Sequence, residues 1–373
     1  MFHLMFSLPC LYVIIRFIWP MPWAVPARMA VAVLLVLASQ YHLYCRFSSG
    51  SVFSPEFARP LVILLNWAFG AILLSAVLQM VADIATLIAM LIRRRVLSIP
   101  AVVRYGLGTT ALVLSAAGVH QAVGVPPVKD IEIAIKDLPS QFEGYQVLQL
   151  TDLHISRLFD APWTQAVVSR SNDLGVDLIV ATGDLIDGSV SDRARDVEAL
   201  RNLHAPDGVY VIPGNHEYFF DYAAWMQYFV SLGMRPLANS HTVIERDHAQ
   251  VVLAGVTDLT APKTGFPPPD LKQAIAGAPK NAPILLLDHQ PRNARDSAKQ
   301  GVALQLSGHT HGGMILGIDR VIAVLNEGFV SGLYDVDGMS LYVNNGTALW
   351  PGFALRLGKP SELTRITLRR AVL

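Results

Sequence analysis

Charge is distributed unevenly along this chain of 373 residues. Residues 1–126 contain eight arginines and two acidic residues, whereas residues 127–373 contain the other 21 basic and 27 acidic residues. The zero net charge is therefore a cancellation of +6 against −6. Soluble domains carry about 25% charged residues, so the first part is too apolar to be soluble or disordered. The pattern predicts a membrane domain over residues 1–126 and a soluble domain over residues 127–373.

Four apolar stretches in the first part are candidates for membrane spans, which need about 20 apolar residues. They cover residues 8–25, 29–45, 61–92 and 101–125. The stretch 101–125 is the cleanest, while prolines and Arg16 interrupt the first one. We therefore predict an α-helical anchor of about four transmembrane helices.

The arginines of the first part indicate which way the spans run, because cytoplasmic loops are enriched in Arg and Lys. Arg93, Arg94 and Arg95 lie just before the last span, which predicts that this loop is cytoplasmic and that residue 127 emerges outside. Asp83, His120 and Arg16 lie within or near the spans, and such residues raise the hypothesis of a transport site. No series of ionisable residues accompanies them, so anchoring is the preferred interpretation.

Short apolar runs and helical patterns alternate through most of the second part, which predicts a layered α/β domain. An edge strand is predicted over residues 129–135, and helices over residues 163–174, 192–203 and 222–232. Near the end, Asp337-Gly338 separates two strand patterns and predicts a hairpin. A mixed sheet or a two-sheet sandwich fits this order better than a purely parallel sheet.

Five of the apolar runs end in residues that bind metals. The candidate ligands are Asp152, His154, Asp184, Asn215, His289, His309 and His311. Ligands gather beyond the carboxyl ends of strands in α/β proteins, so these side chains should meet. Imidazole, carboxylate and amide oxygen suit zinc, iron or manganese. Seven candidates exceed the needs of one four-coordinate ion and suit two divalent ions that share a carboxylate. Cys10 and Cys45 are too few for a structural zinc site.

The ligand series resembles the calcineurin-like metallophosphoesterase superfamily. The blocks D-x-H, G-D-x-x-D, G-N-H-[DE], H and G-H-x-H occur in order over residues 144–315. The tail, at residues 345–347, 356–358 and 362–364, is similar to a membrane-anchored bacterial branch with YkuE-like and YaeI-like members. The resemblance implies a four-layer αββα sandwich. We therefore expect a bacterial inner-membrane location in which the predicted spans make the protein multi-pass and the arginine pattern puts the catalytic domain on the extracytoplasmic face.

The resemblance also implies a role for each ligand. Asp152, His154, Asp184 and His311 would hold one metal, and Asp184, Asn215, His289 and His309 would hold the other. His216 would be the catalytic histidine, contacting the phosphoryl oxygens or protonating the leaving group. A hydroxide bridging the metals would attack phosphorus. Asp187 and Glu217 are interpreted as residues that orient the ligands.

The leading hypothesis is therefore a membrane-anchored phosphoesterase that cleaves phosphodiester or pyrophosphate bonds, including those of lipid-linked substrates. A variant of it has the domain facing the cytoplasm and cleaving a nucleotide-linked lipid precursor. A second class of function is a non-enzymatic metal-binding membrane sensor or transporter accessory. No basic patch in residues 127–373 indicates a nucleic-acid partner. Substrate specificity is expected in loops that match no motif, such as residues 260–269.

Overall fold

The computed structural model describes residues 2–371, with side chains from residue 7 onward. The described chain forms two compact units. One contains the residues up to Val123 together with Pro351–Leu357, and the other contains Gly124–Trp350 and the residues from Gly358 onward.

The first unit is helical. Its helices are α1 (Phe2–Val13), which continues as a π-helix (Ile14–Ile18), α2 (Val25–Ser39), α3 (Tyr41–Ser49), α4 (Arg59–Arg93) and α5 (Ala101–Val123). Only α4 and α5, among the described residues, are individually long and apolar enough to cross a membrane. Helices α2 and α3, bent by 45° at a short break, qualify as a third span if they are taken together.

The span predicted over residues 8–25 corresponds to a shorter apolar helix, Ser7–Ile18. The chain leaves the helical conformation after Trp19, where Pro20 and Pro22 follow in sequence. A proline cannot donate the backbone hydrogen bond that a continuing helix needs. The described structure thus contains two such spans, or three with the bent pair, where the sequence predicted four.

Two charged side chains of the helical unit, Arg16 and Asp83, are paired with each other. The Asp83 carboxylate accepts hydrogen bonds from Arg16 Nε at 3.0 Å, from the Tyr12 hydroxyl at 2.7 Å and from Gln79 Nε2 at 2.8 Å. Pairing of this kind offsets the cost of removing ions from water. Asp83, one of the residues that raised the transport hypothesis, therefore connects α4 to the π-helix through Arg16.

The segment Pro351–Leu357 belongs to the helical unit although it lies far along the chain. Asn66 donates to the Pro351 carbonyl oxygen at 3.0 Å and accepts from the Ala354 backbone N–H at 2.7 Å. The Arg356 N–H donates to the Gly118 carbonyl oxygen at 3.1 Å. A Cβ atom added at Gly118 would lie 2.6 Å from Leu355 Cδ1, so the glycine allows the segment to pack closely against α5.

The second unit contains two six-stranded sheets. The first has the order β1-β12-β2-β3-β4-β5 and the second β10-β11-β9-β8-β7-β6. The strands are β1 (Val128–Ile135), β2 (Gln146–Leu150), β3 (Leu178–Thr182), β4 (Val209–Ile212), β5 (Arg235–Pro236), β6 (Ser240–Arg246), β7 (Ala249–Gly255), β8 (Ile284–Leu287), β9 (Val302–Ser307), β10 (Gly332–Val336), β11 (Met339–Val343) and β12 (Leu363–Arg370).

The second unit also contains helices that connect its strands. They are α6 (Ala161–Asn172), α7 (Val190–Val197), α8 (Asn215–Phe219), α9 (Tyr222–Ser231), α10 (Leu271–Ala274), α11 (Ala294–Lys299) and α12 (Asp319–Leu325). The main apolar core contains residues of both sheets, for example Leu178 and Leu285, and so lies between them. A second core packs β8, β9 and β11 against α10 and α11. The predicted α/β sandwich is confirmed.

Several local predictions are also confirmed. The predicted edge strand is β1, and the predicted hairpin is β10–β11, whose Asp337 and Gly338 have φ of 52° and 86°. Two strand features escaped the sequence analysis. One is the antiparallel pair β6–β7, and the other is β12, which lies between β1 and β2.

Candidate metal centre

All seven predicted ligands come together where strands of both sheets end. They follow β2, β3 and β4 in the first sheet and β8 and β9 in the second. Six of the seven are buried, and His309 is partly exposed. Apolar strands thus deliver polar side chains into a protected site, as the position of each ligand after an apolar run predicted.

One group of ligands consists of Asp152, His154 and His311, with ligand atoms within 4.8 Å of one another. His311 Nε2 lies 3.5 Å from Asp152 Oδ1, and His154 Nε2 lies 3.8 Å from the same oxygen. Among the residues that the structure describes, no hydrogen-bond partner reaches His154 Nε2, although it is buried. A buried nitrogen facing carboxylate oxygens is well suited to bind a cation.

A second group consists of Asp184, His289 and His309. His289 Nε2 lies 3.2 Å from Asp184 Oδ2. The Asn215 side-chain oxygen lies 3.2 Å from His289 Nε2 and 2.9 Å from His309 Nδ1. The amide oxygen therefore joins two imidazoles and a carboxylate at one place, and this donor set fits a divalent transition metal.

Asp184 lies between the two groups. Its Oδ2 atom is 3.2 Å from His289 Nε2 in the second group and 3.9 Å from His154 Nε2 in the first. His216 Nε2 is also 3.9 Å from this oxygen. One carboxylate thus faces a histidine of each group and the predicted catalytic histidine, which is the position required of a bridging ligand.

Unusual backbone conformations aim the ligands. Positive φ angles occur at Asp152 (53°), His154 (43°), Asp184 (55°), His309 (69°) and His311 (51°). Asp and His tolerate this region better than most residues, but each instance still costs of order 1 kcal/mol. Space is also restricted, since a Cβ atom at Gly214 would lie 2.2 Å from Asp184 Oδ1. The strained backbone conformations thus occur at the candidate ligands, whose side chains must be held in fixed orientations to bind a metal.

Residues behind the ligands hold three imidazoles of the site through their Nδ1 atoms. Asp187 contacts His154 Nδ1 at 3.1 Å through Oδ2, and His216 Nδ1 through Oδ1. His289 Nδ1 donates to the Thr182 carbonyl oxygen at 2.8 Å. Because these partners accept hydrogen bonds, the Nδ1 atoms carry the hydrogens and Nε2 of each metal-facing ring remains available.

Glu217 holds the backbone around Asp184. Its carboxylate accepts from the N–H groups of Gly214 at 2.7 Å, Asp184 at 3.0 Å and Leu185 at 2.8 Å. This side chain is fully buried and joins the loops that follow β3 and β4. The geometry agrees with the interpretation of Glu217 as an orienting residue.

Opposite charges in the site shift several pKa values. Burial alone would lower the pKa of His154, but the carboxylates of Asp187 and Asp152 outweigh it and raise the pKa to about 10. Burial also opposes the charge on His216, yet Asp184 and Asp187 hold its pKa above the ordinary value. In the metal-free protein, protons therefore occupy positions that a cation would take, and metal binding releases protons.

Sequence reasoning assigned no site role to residues 346–348, which lie behind the first group. The Thr347 N–H donates to the Thr151 carbonyl oxygen at 2.8 Å, and the Ala348 N–H donates to that of Asp152 at 3.0 Å. The segment fixes the backbone of a ligand by hydrogen bonds from a loop almost 200 residues away. Its signal was the position of Asn345-Gly346-Thr347 directly after an apolar strand, as for the ligand loops.

Comparisons with known proteins agree with the geometry. The family model for the calcineurin-like phosphoesterase matches residues 145–313. A "Transmembrane protein with metallophosphoesterase domain" from Danio rerio is 34% identical over 268 residues, covering 69% of this chain and 61% of that protein. The "Uncharacterized metallophosphoesterase YkuE" of Bacillus subtilis is 30% identical over 239 residues, covering 62% of this chain and 82% of that protein. The chain thus spans less than two thirds of the Danio rerio relative's length.

Proposed function

The chain belongs to the calcineurin-like metallophosphoesterase family, and from this premise we propose that it is a membrane-anchored hydrolase of phosphodiester or pyrophosphate bonds. The observation that carries the proposal is the position of Asp184 between two groups of metal-binding side chains. A shared carboxylate supports a pair of divalent ions of manganese, iron or zinc, the arrangement suited to in-line displacement at phosphorus.

The residues divide between the two proposed ions. Asp152, His154 and His311 would hold one with Asp184, and Asn215, His289 and His309 would hold the other with the same Asp184. When bound, the ions lower the pKa of a water nucleophile and neutralise charge on the phosphoryl oxygens. The protein keeps the ligands buried and fixed from behind, so little reorganisation accompanies the reaction.

His216 is the proposed proton donor. Asp187 holds its Nδ1, which leaves Nε2 to face the substrate beside Asp184. Asp184 and Asp187 hold the pKa of His216 above its ordinary value, which favours the protonated form that a general acid requires. The proton passes from Nε2 to the oxygen that leaves phosphorus, and the carboxylate of Asp187 stabilises the ring orientation throughout.

A membrane substrate is supported by an exposed apolar segment that begins shortly after His311. Its exposed large apolar side chains are Leu316, Ile318, Val321, Val324 and Leu325. Helix α12, which carries three of them, has no buried residue. The α/β unit follows α5, a membrane-span candidate that ends at Val123, and would therefore be tethered to a membrane. Lipid is accordingly the proposed partner of the exposed apolar segment. We accordingly propose a lipid-linked phosphoester as the substrate.

The proposed location is the bacterial inner membrane, with the α/β unit on the extracytoplasmic face. The arginines at 93–95 support this orientation, since Arg93 ends α4 and Arg94 and Arg95 lie between α4 and α5. A reporter that is active only in the cytoplasm, fused after Leu373, tests this orientation. Activity of the reporter would show that the α/β unit faces the cytoplasm and would favour cleavage of a nucleotide-linked lipid precursor.

The activity is tested on the full chain purified in detergent, stripped with chelator and supplied with manganese. A chromogenic phosphodiester, the matching monoester and a pyrophosphate are the probes. We expect metal-dependent hydrolysis of the diester or pyrophosphate, lost in Asp184→Asn and in His216→Ala. Asp173→Asn, which removes an exposed carboxylate from the same unit, is the matched control and should be unaffected. Two bound metals without hydrolysis of any probe would favour the sensor or transporter accessory.

A further inference from the structure

A cavity of about 740 Å³ opens beside the second group of ligands. Asn215 and His309 contribute to its wall, as does the partly exposed ring of Phe219. Phe219 also packs 5.3 Å from the His216 ring, measured between ring centroids. Anything that fills this cavity is therefore adjacent to both the metal ligands and the proposed proton donor.

The cavity wall also carries four cationic side chains and two acidic ones, namely Lys263, Arg292, Arg295, Lys299, Asp296 and Glu327. Lys263, Arg292 and Arg295 are exposed there, and within the described part of the chain none of the three forms an ion pair. Lys299 also lines the cavity, but its ammonium group lies 3.0 Å from Asp296 Oδ1. With Asp296 and Glu327 included, the wall carries a net charge of +2, whereas residues 127–373 as a whole carry −6. The grouping of the cations indicates an anionic ligand.

The chain positions these cations by short turns next to the site. Arg292 lies in the turn Pro291–Asn293, three residues after His289. Gln290, between them, donates to both carboxylate oxygens of Asp258, at 3.0 and 2.9 Å, and so ties down the start of the turn. Lys263 lies in the turn Ala261–Thr264, within the loop 260–269 where specificity was expected.

We propose that this cavity binds the second phosphoryl group of a diphosphate substrate, whose first phosphoryl group is the one attacked. The proposal rests on the proposed function and names its substrate class. A single phosphodiester carries one negative charge, which the proposed metal ions would neutralise. A diphosphate brings further anionic oxygens next to the scissile phosphorus, and guanidinium groups bind such oxygens through paired hydrogen bonds.

The reaction is then a hydrolysis of the bridging P–O bond. The oxygen of water bonds to the scissile phosphorus as the bond to the bridging oxygen breaks, and the water releases one proton to solvent, from which His216 is reprotonated after turnover. The electron pair leaves with the bridging oxygen, which becomes part of the second phosphate and takes a proton from His216. Lys263, Arg292 and Arg295 neutralise the charge that collects on this departing phosphate, and they bind the substrate and leaving group without exchanging protons.

Two measurements on the full chain in detergent, loaded with manganese, test the proposal. The first compares kcat/KM for bis(4-nitrophenyl) diphosphate with kcat/KM for bis(4-nitrophenyl) phosphate. The second compares the Kd of methylenediphosphonate with that of methylphosphonate, and needs no turnover. The variants are Lys263→Ala, Arg292→Ala and Arg295→Ala. Lys272→Ala is the matched control, because Lys272 is an exposed cation of the same unit outside the cavity wall.

Loss of a charged hydrogen-bond partner should reduce the preference for two phosphates by about tenfold in each cavity variant, in both ratios. Lys272→Ala should leave both ratios at the wild-type value. Hydrolysis of the probes with ratios unchanged in all three variants would overturn the proposal while the proposed function stood. Wild-type protein that hydrolyses neither probe, but whose binding ratio falls in the variants, would overturn the proposed function and support the diphosphate site.

Discussion

Asp187 offers the sharpest test of how the site is held. Its carboxylate is fully buried and contacts two imidazoles, His154 through Oδ2 and His216 through Oδ1. Asp187→Asn keeps the size of the side chain but replaces one acceptor oxygen by an NH₂ group. That group donates only, so one of the two Nδ1–H groups loses its acceptor whichever way the amide turns.

The expected loss of metal affinity and of kcat in Asp187→Asn depends on which of the two imidazoles loses its hydrogen-bond acceptor. Loss of the partner of a metal-binding histidine costs about 10–100-fold in metal affinity, or roughly 1.4–2.7 kcal/mol. Removal of the negative charge also lowers the pKa of His216, since Asp187 is one of the two carboxylates that raise it. A general acid contributes about 10²–10⁴-fold to the rate, so we expect kcat to fall by about 10²-fold.

The assay measures manganese affinity and the pH profile of kcat for the full chain. The alkaline limb of the profile should move to lower pH in Asp187→Asn, because the protonated form of His216 is lost at a lower pH. Asp173→Asn is the control for removal of a carboxylate. A variant with wild-type metal affinity and an unmoved pH profile would refute the reasoning, even if its thermal stability were reduced.

Two further predictions concern packing and protonation. Gly118→Ala should destabilise the chain by about 1–3 kcal/mol, because its Cβ would lie 2.6 Å from Leu355 Cδ1. Gly106→Ala on the same helix is the control, because its Cβ would meet no atom within 4 Å. Equal unfolding midpoints of the two variants in detergent would contradict this prediction. In chelator, the proton on His154 stabilises the folded protein, because folding raises the pKa of this histidine to about 10. This stabilisation is complete below about pH 6.5 and is lost as the pH rises through about 10, so the unfolding midpoint should fall over that range. Manganese should suppress the fall, and a midpoint independent of pH in chelator would count against protonated histidines in place of the metal.

The sequence was sufficient for features that depend on neighbouring residues. The small share of charged residues up to residue 126 indicated the helical unit, and the apolar runs before Asp152, Asp184 and Asn215 indicated the ligand edge. A strand that ends in a polar side chain is a local pattern, and its side chain is already placed at the end of the sheet. The Asp337-Gly338 hairpin was visible for the same reason, since its turn needs two residues with positive φ.

Only the tertiary structure decided which distant segments meet. Strand β12 lies between β1 and β2 although more than 200 residues separate it from both, and Pro351–Leu357 packs with helices instead of with its chain neighbours. The cavity cations Lys263 and Arg292 lie in separate turns with no shared motif. Such contacts depend on the closure of long loops and on shape matching, which leave no periodic pattern in the sequence. The sequence by itself determined the metal-binding chemistry, and tertiary packing decided what surrounds it.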